Sequence, residues 1–215
     1  MDSNKKKTVL IAFITADLLL AMLLVYLFVG NVNRMSDEEL RELGATVYPD
    51  PREITPFQLT DHRGNSFTQD ALDGSWTLIF FGYTNCPDIC PLTMSELDRF
   101  YQDLESSGQA QDTNIVLATV DPLNDSPEKM ADYVTSFHQD FIGLTGDLAS
   151  LQQLADDLYV IFSDSSEEQG DEHNHTVNHS AHISVIDPNG NYHSVMRAPH
   201  RSADLGIAFE AIRER

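Results

Sequence analysis

The chain has 215 residues, with 34 acidic and 13 basic side chains and a formal net charge of −21. This charge excludes a nucleic-acid-binding protein that relies on phosphate contacts, and we interpret the acidity as a solubility property. Beyond an apolar N-terminal segment and a short acidic linker, about 170 residues remain, enough for one domain with a proper core.

The N-terminal segment predicts a membrane anchor. Lysines at positions 5–7 precede an apolar run over residues 8–29, which is long enough to cross a bilayer. The core of a cleavable signal peptide is shorter and ends in a small-residue cleavage site, for which this segment has no good candidate. The lysines should stay in the cytoplasm, so that everything after residue 30 lies outside it. We predict a cytoplasmic segment 1–7, a signal-anchor 8–29, a linker 30–49 and a domain 50–215.

Asp17 is the one charged residue within the predicted span. An acidic residue near the centre of a membrane helix costs roughly 2.5–3.5 kcal/mol on insertion scales, and the surrounding leucines can offset this cost. The carboxylate is therefore either a functional group or a single tolerated polar residue.

After the anchor, the pattern of apolar residues predicts strands that alternate with helices. The predicted strands cover residues 57–60, 66–68, 76–83, 115–120, 141–144, 182–186 and 191–196. Four helices are predicted, and three of them cover residues 92–104, 148–160 and 203–213. The remaining helix begins with Ser126 as its N-cap and Pro127 at its first position, and it should bury Met130, Tyr133, Val134 and Phe137. This order predicts a thioredoxin-like α/β fold with a central mixed sheet, in which strand ends and their loops meet at one edge.

Two cysteines occur, Cys86 and Cys90, in the segment Thr84-Asn85-Cys86-Pro87-Asp88-Ile89-Cys90-Pro91. Backbone N–H groups and the helix dipole at such a strand-to-helix corner are expected to lower the pKa of the thiols. Thiolates attack disulfides and bind soft metals, so we expect the chemistry of the protein here. Two alternatives are a structural disulfide, which would add little stability across so short a loop, and a zinc site, which would need about four ligands.

Three segments resemble the signature blocks of the Sco/SenC family of membrane-anchored copper chaperones. They are Phe80 to Pro91, Val120-Asp121-Pro122 with Asp125-Ser126-Pro127-Glu128, and Val177-Asn178-His179-Ser180 running to Asp187-Pro188-Asn189-Gly190. The resemblance covers roughly residues 50–215 and implies a copper site of two cysteines and one histidine, matching Cys86, Cys90 and His179.

The resemblance also implies a role. Family members help to assemble the dinuclear copper centre of cytochrome c oxidase, which makes the copper-bearing oxidase subunit and other copper carriers the expected partners. The protein would then be a metallochaperone rather than an enzyme, anchored once in the bacterial inner membrane with its C-terminal domain on the periplasmic side. Its oligomeric state is left open.

The chemistry of the residues agrees with copper. Thiolates select Cu(I), and two thiolates with one imidazole also tolerate Cu(II). The cysteines can approach the roughly 5.5–6 Å Cα separation of a disulfide, so oxidation of this redox-active pair should compete with metal binding.

The sequence contains eight histidines, and spacing alone favours those just before strand 182–186. The motif match falls on His179, whereas His182 is better explained as an ordinary strand residue. His173 and His175 belong to an acidic loop and either hold a second metal loosely or are simply solvated. Asp121 either supports the metal ligands or forms an Asp-Pro turn.

Two other functions use the same cysteines. A thiol–disulfide reductase that keeps oxidase cysteines reduced would need only this pair, but residues 176–181 lack the proline that such enzymes carry before the following strand. A peroxidase would need an arginine near the cysteines, and none occurs between Tyr83 and Leu92.

Overall fold

The computed structural model describes residues 3–32, 34–164 and 177–215, which form two units, an N-terminal helix and a folded domain that begins at Asp37. Helix α1 spans Ser3–Val32. Its segment Lys7–Val25 has a mean hydropathy of 2.5 and is long and apolar enough to cross a membrane. This helix fits the predicted single-pass anchor.

The folded domain contains strands and helices in alternation. The strands are β1 Ala45–Glu53, β2 Gln58–Asp61, β3 Ser66–Thr68, β4 Trp76–Gly82, β5 Thr113–Thr119, β6 Ile142–Thr145, β7 Phe162–Asp164, β8 Val177–His179, β9 Ile183–Ile186 and β10 Asn191–Met196. The helices are α2 Asp37–Glu42, α3 Ile89–Ser107, α4 Pro127–Thr135, α5 Leu148–Asp157 and α6 Ser202–Arg213, with short 3-10 turns at Gln69–Leu72 and Ala110–Asp112.

The described strands form one mixed sheet and one two-stranded ribbon. The sheet has eight strands in the order β1-β10-β9-β4-β5-β6-β2-β3, and β7 pairs with β8 in the ribbon. Strands β4, β5 and β6 run parallel, while β9 runs antiparallel to β4. All seven residues of β4 are buried, as expected for a central strand that is covered on both faces.

The helices follow the predicted signals closely. Helix α4 begins with Pro127 after Ser126, whose side chain accepts a hydrogen bond from the Lys129 N–H. Helix α6 covers the sheet through Phe209, whose ring packs edge-on against Phe100 and Trp76 at centroid distances of 5.5 and 5.9 Å. Both packing partners are buried in the core.

Most predicted boundaries lie within one to three residues of those in the structure, and three of the differences concern the site or the core. Helix α3 begins at Ile89, so that Cys90 belongs to its first turn. Phe137 lies beyond the end of α4 and is only half-buried, like Tyr133 within it. Helix α5 ends at Asp157 and not at residue 160, because Tyr159 adopts a left-handed backbone conformation with φ 55°.

The segment predicted as a linker, residues 30–49, contains ordered structure. Leu40 of α2 is 1% exposed, and β1 begins at Ala45, which pairs with Met196 of β10. Strand β1 gave little sequence signal because it is an edge strand with a largely exposed burial pattern and two prolines, Pro49 and Pro51.

Candidate metal centre

Three loops meet at one edge of the sheet, here called the carboxyl edge, where β4 and β5 end and β9 begins. Gly82 at the end of β4 pairs with Thr119 at the end of β5. Because β9 runs antiparallel to β4, its first residue, Ile183, pairs with Phe80 near the same end. The carboxyl edge therefore collects the cysteine loop, the turn after β5 and residues 180–182.

The two cysteines lie together at this edge and are not joined by a disulfide. Cys90 is 0% exposed, whereas Cys86 is partly exposed, and their side chains hydrogen-bond each other. The loop turns back on itself where the Cys86 N–H donates to the Tyr83 carbonyl at 3.2 Å. The result is one partly exposed cysteine and one enclosed cysteine, close enough to act as a pair.

The expectation of lowered thiol pKa values is wrong for Cys90. Burial raises the pKa of the Cys90 thiol strongly, and the hydrogen bond with Cys86 raises it further, while a backbone hydrogen bond with Tyr83 only partly opposes this. Although Cys90 lies in the first turn of α3, loss of solvation outweighs the helix dipole there. Cys90 is therefore a neutral thiol until a metal ion or a partner displaces its proton.

Asp125 holds the cysteine loop against the end of β5. Its carboxylate is 0% exposed and accepts hydrogen bonds from Thr84 Oγ1 at 2.5 Å, from the Thr84 N–H at 3.2 Å and from Thr119 Oγ1 at 2.6 Å. Sequence reasoning missed this role. The only available signal was the position of Asp125, which lies between the end of a predicted buried strand and the helix N-cap Ser126.

Asp121, for which the sequence left open a role in supporting the metal ligands or in forming a turn, lies in a turn. Its carboxylate accepts hydrogen bonds from Asn124 Nδ2 at 2.9 and 3.0 Å, and its carbonyl accepts from the N–H groups of Asn124 and Asp125. This is the turn-forming alternative for Asp121.

Tyr133 of α4 brings an unsatisfied donor close to the thiols. Its hydroxyl is buried without a hydrogen-bond partner among the described residues. Burial, and then the charges of Cys90, Cys86 and Asp125, raise the pKa of the Tyr133 phenol. An unpaired buried hydroxyl calls for an explanation, and a donor within electrostatic range of both cysteines fits a site whose sulfurs become negatively charged when a soft metal binds.

The structure locates the backbone of His179 but not its side chain, which lies outside the described part of the chain. His179 ends β8 and pairs with Phe162 of β7, and both Phe162 and Cys86 pack against the same hydrophobic cluster. His173 and His175 also lie outside the described residues. Among the residues that are described, no three metal-binding side chains come together, so the ligand set remains a prediction.

His182 is engaged in a structural contact. It immediately precedes β9, and its Nε2 hydrogen-bonds the Leu158 carbonyl at 3.2 Å. Burial lowers the pKa of this half-buried imidazole.

Comparison with known proteins assigns the chain to a family. The family model described as SCO1/SenC matches residues 46–211. The chain belongs to the SCO1/SenC family. Among its relatives, a protein of Stutzerimonas stutzeri named for copper binding is 35% identical over 160 residues, covering 74% of this chain and 76% of the relative. A SCO2-like protein of Rickettsia prowazekii is 35% identical over 147 residues, covering 68% and 70% respectively.

Solved structures of SCO1/SenC proteins share the fold. The crystal structure of Arabidopsis thaliana ScoI with copper bound has a TM-score of 0.67 at 30% identity, covering 74% of this chain and 98% of that one. Yeast Sco1 with copper bound has a TM-score of 0.66 at 28% identity, covering 76% and 88%. These likenesses confirm the predicted thioredoxin-like fold.

Proposed function

We propose that this SCO1/SenC protein is a membrane-anchored copper chaperone that binds Cu(I) and Cu(II) through Cys86, Cys90 and His179. The observation that carries the proposal is the pair of unbridged thiols at the carboxyl edge, one buried and one partly exposed. Thiolates prefer Cu(I), and an added imidazole makes the set suitable for Cu(II) as well. Copper is the cargo of such a protein.

The destination of the copper is the dinuclear centre of cytochrome c oxidase, with the copper-bearing subunit and other copper carriers as partners. Family membership supports this role, as do relatives named for copper binding or solved with copper. Partial exposure of Cys86 leaves one ligand within reach of an acceptor thiol, which permits exchange of copper from one ligand set to another. The single apolar helix would keep this domain at the periplasmic surface of a bacterial inner membrane.

The first test is titration of the reduced full-length protein in detergent with Cu(I) and Cu(II), followed by absorption spectra. Cys86→Ser and Cys90→Ser should each abolish tight Cu(I) binding while circular dichroism shows an intact fold, because no bridge supports the core. The oxidised protein should bind no copper, since a disulfide sulfur is a poor ligand. Wild-type copper affinity in either variant, or equal uptake by oxidised protein, would refute the dithiolate site.

His179 is tested by the same titration. His179→Ala should weaken Cu(II) binding more than Cu(I) binding, because Cu(II) gains more from a nitrogen donor. The thiolate-to-Cu(II) charge-transfer bands should shift or disappear. An unchanged spectrum would remove His179 from the ligand set.

A thiol–disulfide reductase is the second candidate, favoured by the unequal exposure of the two thiols. The Cys86 thiolate would attack a partner disulfide to form a mixed disulfide, and Cys90 would then displace the partner as a reduced thiol, leaving Cys86 and Cys90 oxidised. His179→Ala should leave this exchange intact. If neither His179→Ala nor the cysteine variants alter copper binding while exchange activity supports oxidase assembly, the protein is a reductase.

A further inference from the structure

The short connection between β8 and β9, residues 180–182, is held from several sides. The Ser180 N–H donates to the Ile161 carbonyl at 3.0 Å, and Ser180 Oγ accepts from the Ile161 N–H at 3.2 Å. This connection joins the two-stranded ribbon, which carries His179, to the main sheet at the carboxyl edge. Its position therefore determines where the backbone of His179 stands relative to the cysteine loop.

His200 holds the middle of this connection. Its Nε2 donates to the Ala181 carbonyl at 3.0 Å, and its ring packs edge-on against Phe80 with a centroid distance of 6.5 Å. The second ring nitrogen, Nδ1, is buried without a hydrogen-bond partner among the described residues. Among the described residues, the imidazole of His200 therefore forms one hydrogen bond, through Nε2 to the Ala181 carbonyl.

His182 holds the end of the connection through a different partner. Its Nε2 donates to the Leu158 carbonyl, just beyond α5. Residues 180–182 are thus tied to the segment after α5 by Ser180 and His182, and to the β10–α6 loop by His200. None of these three contacts involves the cysteine loop, so they can position His179 independently of the thiols.

Both imidazoles are suited to a constant structural contact. Burial is the main cause that lowers the pKa of His182 and of His200, which keeps each ring neutral near pH 7 with its proton on Nε2. A histidine that bonds a backbone carbonyl in this way has a defined ring orientation.

We propose that His182 and His200 are positioning residues, whose bonds to Leu158 and Ala181 hold residues 180–182 and so fix the backbone at His179 relative to the Cys86–Cys90 pair. The inference rests on the proposed function, because it takes His179 as the third copper ligand. Neither histidine contacts the metal. Each acts through the backbone that leads to His179.

His200→Leu, which keeps an apolar side chain against Phe80 but removes the donor, is the decisive variant. In the reduced full-length protein it should weaken Cu(II) binding by at most about tenfold, the lower end of the loss caused by removing a hydrogen bond made directly to a metal ligand, because His200 acts on His179 only through the backbone. It should also shift the charge-transfer bands. Cu(I) affinity, which depends on the thiols, should change little. His200→Gln, whose amide nitrogen can replace Nε2 as donor, should restore the wild-type spectrum.

His193→Leu is the matched control. His193 also has a buried, unpaired Nδ1 among the described residues and packs edge-on against an aromatic ring, Trp76, at 5.3 Å. It lies in β10 and, within the part of the chain that the structure describes, forms no hydrogen bond with residues 180–182. His193→Leu should lower thermal stability by about as much as His200→Leu does, while the Cu(II) spectrum stays unchanged. An equal spectral shift in both variants would show that His200→Leu acts only through general destabilisation.

Amide hydrogen exchange in the copper-free protein gives a second measurement. His200→Leu and His182→Leu should each accelerate exchange at Ser180, whose N–H lies within the held connection, and His193→Leu should not. A wild-type Cu(II) spectrum and wild-type exchange in His200→Leu would overturn the proposal.

The parallel His179→Ala titration separates the two levels of inference. If His179→Ala alters the Cu(II) spectrum and His200→Leu does not, His179 is a ligand and the positioning role fails alone. If His179→Ala has no effect, the ligand assignment fails and the positioning role falls with it.

Discussion

Gly82 determines how closely β4 approaches the buried thiol. A Cβ atom at this position would lie 2.9 Å from Cys90 Sγ and 3.2 Å from both Leu117 Cδ1 and Phe80 Cε1. The sulfur sits on a short side chain at the start of α3, and the other two neighbours are fully buried. The Cys90 side chain therefore occupies the space that a side chain at position 82 would need.

Gly82→Ala should weaken both the fold and the copper site. Overpacking of a filled core typically costs about 1–3 kcal/mol, and relief requires movement of the Cys90 sulfur. We expect a lower midpoint of urea unfolding and a reduced Cu(I) affinity.

Gly206→Ala is the control for that experiment. Gly206 lies within α6, and a Cβ there would meet nothing within 4 Å, so the substitution should stabilise the protein by about 0.5–1 kcal/mol through helix propensity. If Gly82→Ala also leaves stability and Cu(I) affinity unreduced, the enclosure of Cys90 by β4 is not tight.

At the scale of elements, Asp125 links the loop after β4, the end of β5 and the start of α4. The three hydrogen bonds that it accepts come from residues 6 and 41 positions away in the chain. A buried acceptor with several donors holds neighbouring elements in a fixed arrangement. The geometry of the cysteine loop therefore depends on a residue outside the cysteine motif.

Asp125→Ala should lower stability by about 3 kcal/mol, because the buried hydroxyl of Thr119 loses its acceptor at a cost of about 1–3 kcal/mol and the two part-buried donors of Thr84 lose theirs at a smaller cost. Copper affinity should fall with it, since Thr84 precedes Cys86 by two residues. Urea unfolding and Cu(I) titration measure the two effects.

Ser126→Ala separates the network from helix capping. It removes the neighbouring N-cap contact to Lys129 and should cost about 1 kcal/mol without a change in Cu(I) affinity. An equal loss of copper affinity in both variants would show that α4 as a whole, and not the Asp125 network, supports the loop.

The elements themselves were largely predictable. The buried run of β4, the turn Asp187-Pro188-Asn189-Gly190 before β10 and the Ser126-Pro127 start of α4 carry strong local signals, and each is found in the structure. Strand β1 was not predicted, because an exposed edge strand is recognised mainly by its pairing, here with β10. The β7–β8 ribbon was not predicted because its strands have three residues each and, unlike β2 and the equally short β3, are not joined by a short turn sequence.

At the scale of the whole molecule, the anchor is the feature with the clearest experimental consequence. Lys5, Lys6 and Lys7 precede the apolar helix, and basic residues are retained in the cytoplasm. A reporter that is active only outside the cytoplasm should therefore work when fused after Arg215. Activity of a cytoplasm-only reporter at the same position would reverse the orientation.

The domain should also lose stability in mild acid. Burial is the largest cause that lowers the pKa of four histidines, namely His62, His182, His193 and His200. The unfolded chain then binds protons at a higher pH than the folded chain, so stability is complete above the unfolded pKa of about 6.5 and falls as the pH drops below it.

Urea unfolding of the copper-free protein between pH 7.5 and 5 measures this effect. The slope can reach about 1.4 kcal/mol per pH unit for each proton taken up on unfolding, and His193→Leu should reduce it. The carboxyl groups with lowered pKa values, such as Asp61 and Asp147, lose their contribution only at lower pH. A free energy of unfolding that is constant across this range would show that the histidines are not buried in neutral form.

The sequence by itself determined the apolar N-terminal helix, the alternation of strands and helices, the fold class and the cysteine pair, because each follows from local composition, periodicity or spacing. Only the tertiary structure decided that Cys90 is enclosed while Cys86 is partly exposed, and that Asp125 holds the cysteine loop. It also decided that His200 bonds Ala181, 19 positions away. These features depend on contacts between strand ends that are distant along the chain, and burial at such contacts changes both the hydrogen bonding and the pKa of a side chain in ways that its sequence neighbours do not indicate.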